Sequence, residues 1–322
     1  MTDAISAKPD TRMGDLPSLY ATLTKMRLSI LVVITTFVGY LMASGDEILW
    51  LRLLFTVLGT MACALSANAL NQVFETDRDR LMDRTKGRPT PSGAMSRQHA
   101  FIFAVILGYA GVFTLAMLVN IYAAGLALGT LLLYLLAYTP LKVISTFNTI
   151  VGAIVGAIPP MIGWVAVRDS LEIQAWILAG ILFIWQLPHF LSLAWMYRDQ
   201  YAGAGFRMLP GVPGGETITS EIVLLTTLLL IPLGLSVTLS GLAGVFFAVV
   251  ATLLGLGFTW YSIKFLLKRD RRSARSTFLF SLLYLPVLLL AMSLNRQIIP
   301  SDGLVVVDMN PDAAIQPRSQ DE

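Results

Sequence analysis

Apolar residues in this chain come in unbroken runs rather than in alternation. Runs of about 20 residues recur from Leu28 to Leu294, separated by short polar or basic segments. Such runs cross a bilayer as helices, whereas the strands of a membrane barrel would alternate every second residue. The pattern predicts an all-α, polytopic membrane protein. Its nine transmembrane helices are expected at about 28–43, 48–74, 101–119, 121–139, 146–167, 173–197, 221–240, 242–267 and 276–294. Asn120 is expected to make a tight turn, Pro140 to stop the fourth helix, and Pro159-Pro160 to break the fifth inside the bilayer. A broken helix is tolerated there if its backbone lines a cavity, which hints at a central chamber. Residues 1–20 read as a mobile polar arm, 21–296 as the transmembrane domain, and 297–322 as a disordered acidic tail.

Composition agrees with the pattern. Of 322 residues, 56% are hydrophobic and only 13% charged, against about 25% in a soluble domain. The net charge of +3 is too small to suggest nucleic acid as a partner. What matters is the placement of the basic residues. With the N-terminus in the cytoplasm, Lys25, Arg27, the 78–97 loop, Lys142, Arg198, Arg207 and the 268–275 cluster all fall inside, while the outer loops hold little beyond Arg52 and Arg168. An odd number of spans then puts the C-terminus outside. A bacterial cytoplasmic (inner) membrane is the expected location. Cys63 is the sole cysteine, so there is no disulfide framework, and it is expected to pack in a helix.

The densest charge lies at the end of the second helix. Asn71, Glu75, Asp79 and Asp83 are spaced four apart. Each step advances about 400°, so neighbours on a helix differ by only about 40°. One wall thus carries an amide and three carboxylates, with Arg84, Lys86 and Arg88 close behind. A solvated helix end in a basic loop accounts for the cations but not for aligned acids. Magnesium, held by one or two carboxylates, phosphate oxygens and water, accounts for both. Asp77 points to another face, and Asp83 falls either on this wall or already beyond the end of the helix.

Further polar groups recur at the same depth. Tyr138 and Lys142 close the fourth helix and Asn148 opens the fifth; singly they read as a belt aromatic, an anchor and a cap. Gly152, Gly156 and Gly163 make one face of the fifth helix small, which suits close packing. Gln186 and His189 lie well inside the sixth helix, where polar residues either stitch helices together or serve a site. If a haem-like substrate enters, His189 is the candidate iron ligand. Asp199 ends the sixth helix, as an ion-pair residue or a second metal ligand. The segment 197–201 echoes the end of the second helix, suggesting an old duplication.

Taken together, Asn71-Gln-Val-Phe-Glu75 with Asp79, the segment Arg84 to Pro89, Tyr138-Thr-Pro-Leu-Lys142, Asn148 through Trp164, and Trp185-Gln186 with His189-Phe190 resemble the intramembrane aromatic prenyltransferases. Gln72, the double proline and the Trp-Gln-xx-His segment resemble the haem-modifying branch. The resemblance spans about residues 20–295. It implies a nine-helix bundle around a chamber open to the cytoplasm and to lipid. It implies a transferase of haem biosynthesis that joins farnesyl diphosphate to haem B, giving haem O, with Mg2+ as cofactor. Asn71, Glu75, Asp79, Lys142 and Tyr138 would then be catalytic, with Glu75, Asp79 and Asp199 on the metal. Lys25, Arg27, Arg84, Lys86, Arg88, Asn148, Gln186, His189 and Tyr201 would contact substrate. A haem A synthase is a candidate partner. Two departures stand out. The family usually has Asp before the tyrosine of the second motif, where this chain has Gln200, with Asp199 one residue earlier. The first basic motif usually reads Lys-Pro-Arg, and here reads Lys25-Met26-Arg27. Two other readings use some of the same residues: a sister prenyltransferase acting on a quinone precursor or a chlorin ring, and a cation-coupled transporter or haem carrier.

Overall fold

The computed structural model describes residues 16–298. A short α1 (Leu16–Leu23) precedes α2 (Met26–Ala43) and α3 (Trp50–Phe74). Two single turns, α4 (Thr76–Asp79) and α5 (Pro89–Ser92), interrupt the next loop. Then come α6 (Arg97–Leu118) and α7 (Ile121–Leu132), which runs through a π-helical segment, Leu133–Tyr138, into α8 (Thr139–Ile144). The chain continues with α9 (Asn148–Arg168), α10 (Ile173–Met196), α11 (Arg198–Gly203), α12 (Gly215–Leu239), α13 (Val245–Lys268) and α14 (Arg271–Leu294). Counting α7 and α8 as one, nine helices among the described residues are long and apolar enough to cross a bilayer. This is an integral membrane protein.

Burial sorts the helices into layers. The most apolar windows of α9 and α10 are 67% and 61% buried, against 17–44% for the other seven, so these two form the middle. Large apolar side chains elsewhere, such as Tyr109, Leu136 and Leu239, face outward, as lipid requires. Glycine brings α2 onto α9. A Cβ at Gly163 would stand 2.0 Å from the Thr36 carbonyl oxygen, and one at Gly39 would stand 2.1 Å from that of Pro160. In lipid, where burial adds little between helices, such close contact supplies much of the cohesion. Gly163→Ala is therefore expected to destabilise the protein by about 1–3 kcal/mol. Gly180→Ala serves as the control, since its Cβ would meet nothing nearer than 3.6 Å. Thermal unfolding in detergent compares the two, and equal midpoints would count against tight α2–α9 packing.

Three local expectations are corrected. Pro140 does not stop its helix, which continues to Ile144. The preceding π-helical turn links the Thr139 N–H to the Tyr134 carbonyl, and Pro140 falls in the first turn of α8, where a missing N–H costs least. Pro159-Pro160 does not break α9, which is continuous from Asn148 to Arg168. The prolines deprive only the Val155 and Gly156 carbonyls of their helical donors, while close contact with α2 supports the segment. Finally, α3 ends at Phe74, and Glu75 (φ −91°, ψ 2°) joins it to the single turn of α4. The long acid wall is thereby shortened, and Asp83 leaves it for an exposed pairing with Lys86.

At the N-terminal boundary, residues 16–20 belong to α1; the rest of the expected arm lies outside the described residues. At the other end, Gln297 N–H donates to the Leu242 carbonyl; the expected tail beyond 298 also lies outside them. Cys63 is buried on α3 with its Sγ close to Gly111 of α6.

Candidate active site

A chamber of about 370 Å³ opens between α2, α3, the π-helical segment, α9, α10 and α14. Its two ends differ in chemistry. Lys25, Glu75, Asp79, Arg84, Arg88, Tyr138 and Lys142 line one end, and Leu31, Val32, Val155, Pro159, Leu182 and Leu285 line the other. Between them Tyr134, Trp185 and Phe190 add aromatic surface.

The polar end is assembled from four separate places in the chain. Asn71, on the last turn of α3, and Glu75 just after it are both buried. The turn of α4 then brings Asp79 to the same face, only 2% exposed. Lys142 reaches Glu75 from α8, with Nζ 2.7 Å from Oε1, and lies 4.4 Å from the centre of the Tyr138 ring. That ring rests on the bare Cα of Gly152. Arg88, just before α5, places a guanidinium nitrogen 2.7 Å from Asp79 Oδ2. Lys25 caps α2 in the left-handed region, φ 48°, a conformation that costs a non-glycine residue energy. Its Nζ donates to Asn71 Oδ1 at 3.1 Å, and Asn71 Nδ2 donates to Thr139 Oγ1 at 3.2 Å. Gln72 braces the assembly from behind. Fully buried, it donates to the Thr22 and Leu23 carbonyls and accepts from Thr90.

Cations outnumber acids at this end, and the balance shows in their protonation. Burial, then the Arg88 and Lys142 charges, bring the Lys25 ammonium down to about 7. Burial alone would raise the Glu75 carboxyl, but Lys142 and Lys25 outweigh it and hold it below the usual range. An added polyanion would relieve the cation excess. A diphosphate would favour protonated Lys25, so its binding should take up a proton between about pH 7 and the higher value in the complex. Affinity for a diphosphate is therefore expected to weaken as pH rises above about 7, and Lys25→Met should flatten that slope. Calorimetry in two buffers of different ionisation heat measures the proton uptake, and a parent slope unchanged by Lys25→Met would refute the assignment.

The remaining sequence-expected residues divide. Arg84 lines the mouth, donates to Tyr201 Oη at 2.9 Å, and lies over the Tyr197 and Tyr201 rings. Lys86 turns away to Asp83 and is 61% exposed. Arg27 is exposed on α2 and does not line the chamber. Asp77 pairs outside with Arg97 and Arg80. Asn148 is buried but acts on backbone, donating to the Ser145 and Arg207 carbonyls and tying the 204–208 loop to α9. Asp199 stands apart, with a side chain 96% exposed beside Arg198. Gln200 instead turns a buried Oε1 inward, where no donor among the described residues reaches it.

The inner wall holds Gln186 and His189. Gln186 Nε2 donates to the Leu182 carbonyl at 3.0 Å, and its Oε1 sits against the bare Cα of Gly156. Sequence reasoning missed Tyr134, although it stands four residues before Tyr138 and its ring lies tilted against that one, with centroids 5.0 Å apart. It also missed the cap over the mouth, where Met82, Phe206 and Met208 from two loops form one apolar cluster. Apolar residues inside otherwise polar loops were the available signal.

Among the described residues no three or more His, Cys, Asp or Glu side chains gather as a metal cage. The chain instead offers two buried carboxylates, Glu75 and Asp79, at the polar end of the chamber. That hard oxygen set suits magnesium, which completes its shell with water and phosphate oxygens. The arrangement can neutralise a departing diphosphate and keep an apolar chain dry beside it.

Comparison with known proteins identifies the family. The model of the UbiA prenyltransferase family matches residues 32–284. A protoheme IX farnesyltransferase of Solibacter usitatus is 40% identical over 286 residues, covering 86% of this chain and 98% of that protein. The mitochondrial protoheme IX farnesyltransferase of Arabidopsis thaliana is 42% identical over 279 residues, covering 86% and 64%. The human mitochondrial protein of that name is 39% identical over 289 residues, covering 90% and 64%. Among solved structures, a digeranylgeranylglyceryl phosphate synthase superposes with a TM-score of 0.72 at 20% identity, covering 88% of this chain and 99% of that one. A UbiA homologue from Archaeoglobus fulgidus bound to DMAPP and Mg2+ superposes with a TM-score of 0.65 at 15% identity, covering 85% and 99%. The structures share the fold, and the family match covers most of the chain: this protein belongs to the UbiA prenyltransferase family.

Proposed function

We propose that this prenyltransferase joins the farnesyl group of farnesyl diphosphate to haem B and so makes haem O. The observation that carries the reading is a single chamber with cations and carboxylates at one end and a dry, aromatic interior bearing His189 at the other. Relatives matched over most of this chain and named protoheme IX farnesyltransferase support it.

The residues divide the work by charge. Lys25, Arg88 and Lys142 bind the diphosphate and stabilise the charge that grows on it as the C1–O bond breaks. Arg84 holds the outer phosphate at the mouth. Magnesium, held by Glu75 and Asp79, would neutralise the leaving group further. The farnesyl chain lies along Leu31, Val32 and Leu182, where water is excluded and the allylic cation survives. The faces of Tyr134, Tyr138 and Trp185 favour that cation. A haem vinyl group then forms the new C–C bond to C1, and the cation left on its inner carbon takes up water and loses a proton. The product carries a hydroxyethylfarnesyl side chain, and diphosphate departs with the electron pair of the broken bond.

The test uses the purified protein in lipid discs with haem B, farnesyl diphosphate and magnesium. Extracted porphyrins should show the mass of haem O. Prenylated 4-hydroxybenzoate in a parallel assay, with no haem O, would favour a sister reaction instead.

We also assign the polar end of the chamber to the cytoplasmic side of a bacterial inner membrane, with the N-terminus inside and the C-terminus outside. The ends of α3, α8, α10 and α13 and the starts of α2, α6, α9, α12 and α14 alternate onto one face, which carries the basic loops. A cysteine at exposed Ser92 should react with an impermeant thiol reagent only in inside-out vesicles, and labelling of intact cells would reverse the orientation.

A further inference from the structure

The mechanism above uses His189 only as wall, yet its surroundings are specific. The imidazole is held between two aromatic rings, Trp185 at 5.0 Å and Phe278 at 4.8 Å, both stacked. Its Nδ1 lies 2.7 Å from Ser281 Oγ on α14. That hydroxyl has one proton, and its oxygen lies 2.5 Å from the Phe278 carbonyl, which can only accept. The serine proton therefore goes to the carbonyl, and the serine oxygen accepts from Nδ1–H. A neutral imidazole with its proton on Nδ1 carries a lone pair on Nε2. Trp185 Nε1 pins the same turn of α14 by donating to the Ser281 carbonyl at 3.0 Å.

Nothing among the described residues uses the Nε2 lone pair, and the ring lines the chamber. His189 stands seven residues before the end of α10 at Met196, or about 10 Å below the polar end along the helix axis. No carboxylate bonds to the ring, so nothing there would balance a charged imidazolium. A role in which the ring stays neutral fits these surroundings better than one in which it takes a proton. Metal-bound histidines commonly donate their other N–H to a fixed acceptor, which sets tautomer and orientation.

From this geometry we infer that His189 Nε2 is the axial ligand to the iron of the metalloporphyrin substrate, and that Ser281 is the positioning residue that prepares it. The inference rests on the haem reading above. Ligation holds the porphyrin at one point on α10, so that its rim is presented to the diphosphate end in a defined position. Phe278 and Trp185 keep the ring plane fixed while the substrate arrives.

The test titrates the full chain in lipid discs with haem B and with metal-free protoporphyrin IX. The parent should show a Soret shift of the imidazole-ligated kind with haem. His189→Ala should lose it, and added imidazole should restore it. Ser281→Ala should weaken haem binding by about 10–100-fold, as is usual when a group behind a metal ligand is lost. Ser281→Thr, which keeps the hydroxyl, should recover most of that. Metal-free protoporphyrin should bind the parent and both alanine variants alike. A haem spectrum unchanged by His189→Ala would overturn the ligand assignment, and Ser281→Ala binding haem like the parent would overturn the positioning role. Haem O formed without any His189-dependent spectrum would overturn this inference alone. A His189-dependent spectrum without haem O formation would overturn the proposed reaction alone. No haem binding at all would overturn both.

Discussion

Asp79→Asn is expected to slow prenyl transfer by about 10²–10³-fold, the usual loss when one contact to developing charge is removed. Asp79 is 2% exposed and is held by Arg88 at 2.7 Å. The amide keeps the size and can still accept from Arg88, so the helix packing is undisturbed. It loses the negative charge that would hold magnesium, and with it the pull on the leaving diphosphate. That pull grows as the C–O bond breaks, so the loss should fall on kcat more than on KM. Product formation and diphosphate release, measured at saturating magnesium and farnesyl diphosphate, give the split. A variant with the parent's kcat would remove Asp79 from the chemistry.

Lys142→Met should do more damage to the fold. Lys142 and Glu75 are 11% and 8% exposed, and removing one partner leaves a buried charge uncompensated. Losses of about 3–5 kcal/mol are typical of that change. Glu75→Gln combined with Lys142→Met removes both charges and should recover most of the stability, because a buried pair replaced as a whole costs little. The double variant should nonetheless remain inactive, since both the metal carboxylate and the diphosphate cation are gone. Unfolding in detergent and the transfer assay read the two effects separately. Equal instability of the single and double variants, or activity in the double one, would contradict this account.

The pH dependence of these proteins should also differ in sign. In the parent, Lys142 and Lys25 hold the Glu75 carboxyl below its usual range despite burial. Its contribution is therefore present above the unfolded-state pKa and fades as pH falls through the folded value. Without Lys142, burial should dominate and raise the Glu75 pKa. The single variant should then gain stability relative to the parent as pH falls, because protonation removes the unpaired charge.

Much of this is legible in the sequence. Lipid demands long apolar runs and keeps charge at the ends, so the nine spans and the basic face followed from the pattern of residues alone. The grouping of Asn71, Glu75 and Asp79 followed from their spacing, and across the break after Phe74 all three stay buried, with Glu75 and Asp79 both lining the chamber. Local rules about proline failed. Pro140 was accommodated by a π-helical turn, and Pro159-Pro160 by a neighbouring helix, neither of which is a property of the segment itself.

Sequence by itself thus determined that the chain is a helical membrane protein and where its acids gather, because periodicity and hydropathy are local and lipid enforces them. Tertiary structure alone decided which cations meet those acids. Lys142 lies 67 residues from Glu75, and it is the packing of the π-helical segment against α3 that brings the following α8 to it. It also separated Arg88, which turns in to Asp79, from Lys86, which turns out to Asp83. It placed Asp199 in solvent and set Ser281 behind His189 across 92 residues of chain. These pairings depend on the angle and closeness at which helices meet, set here by contacts such as Gly163 on Thr36, and no spacing within one helix encodes them.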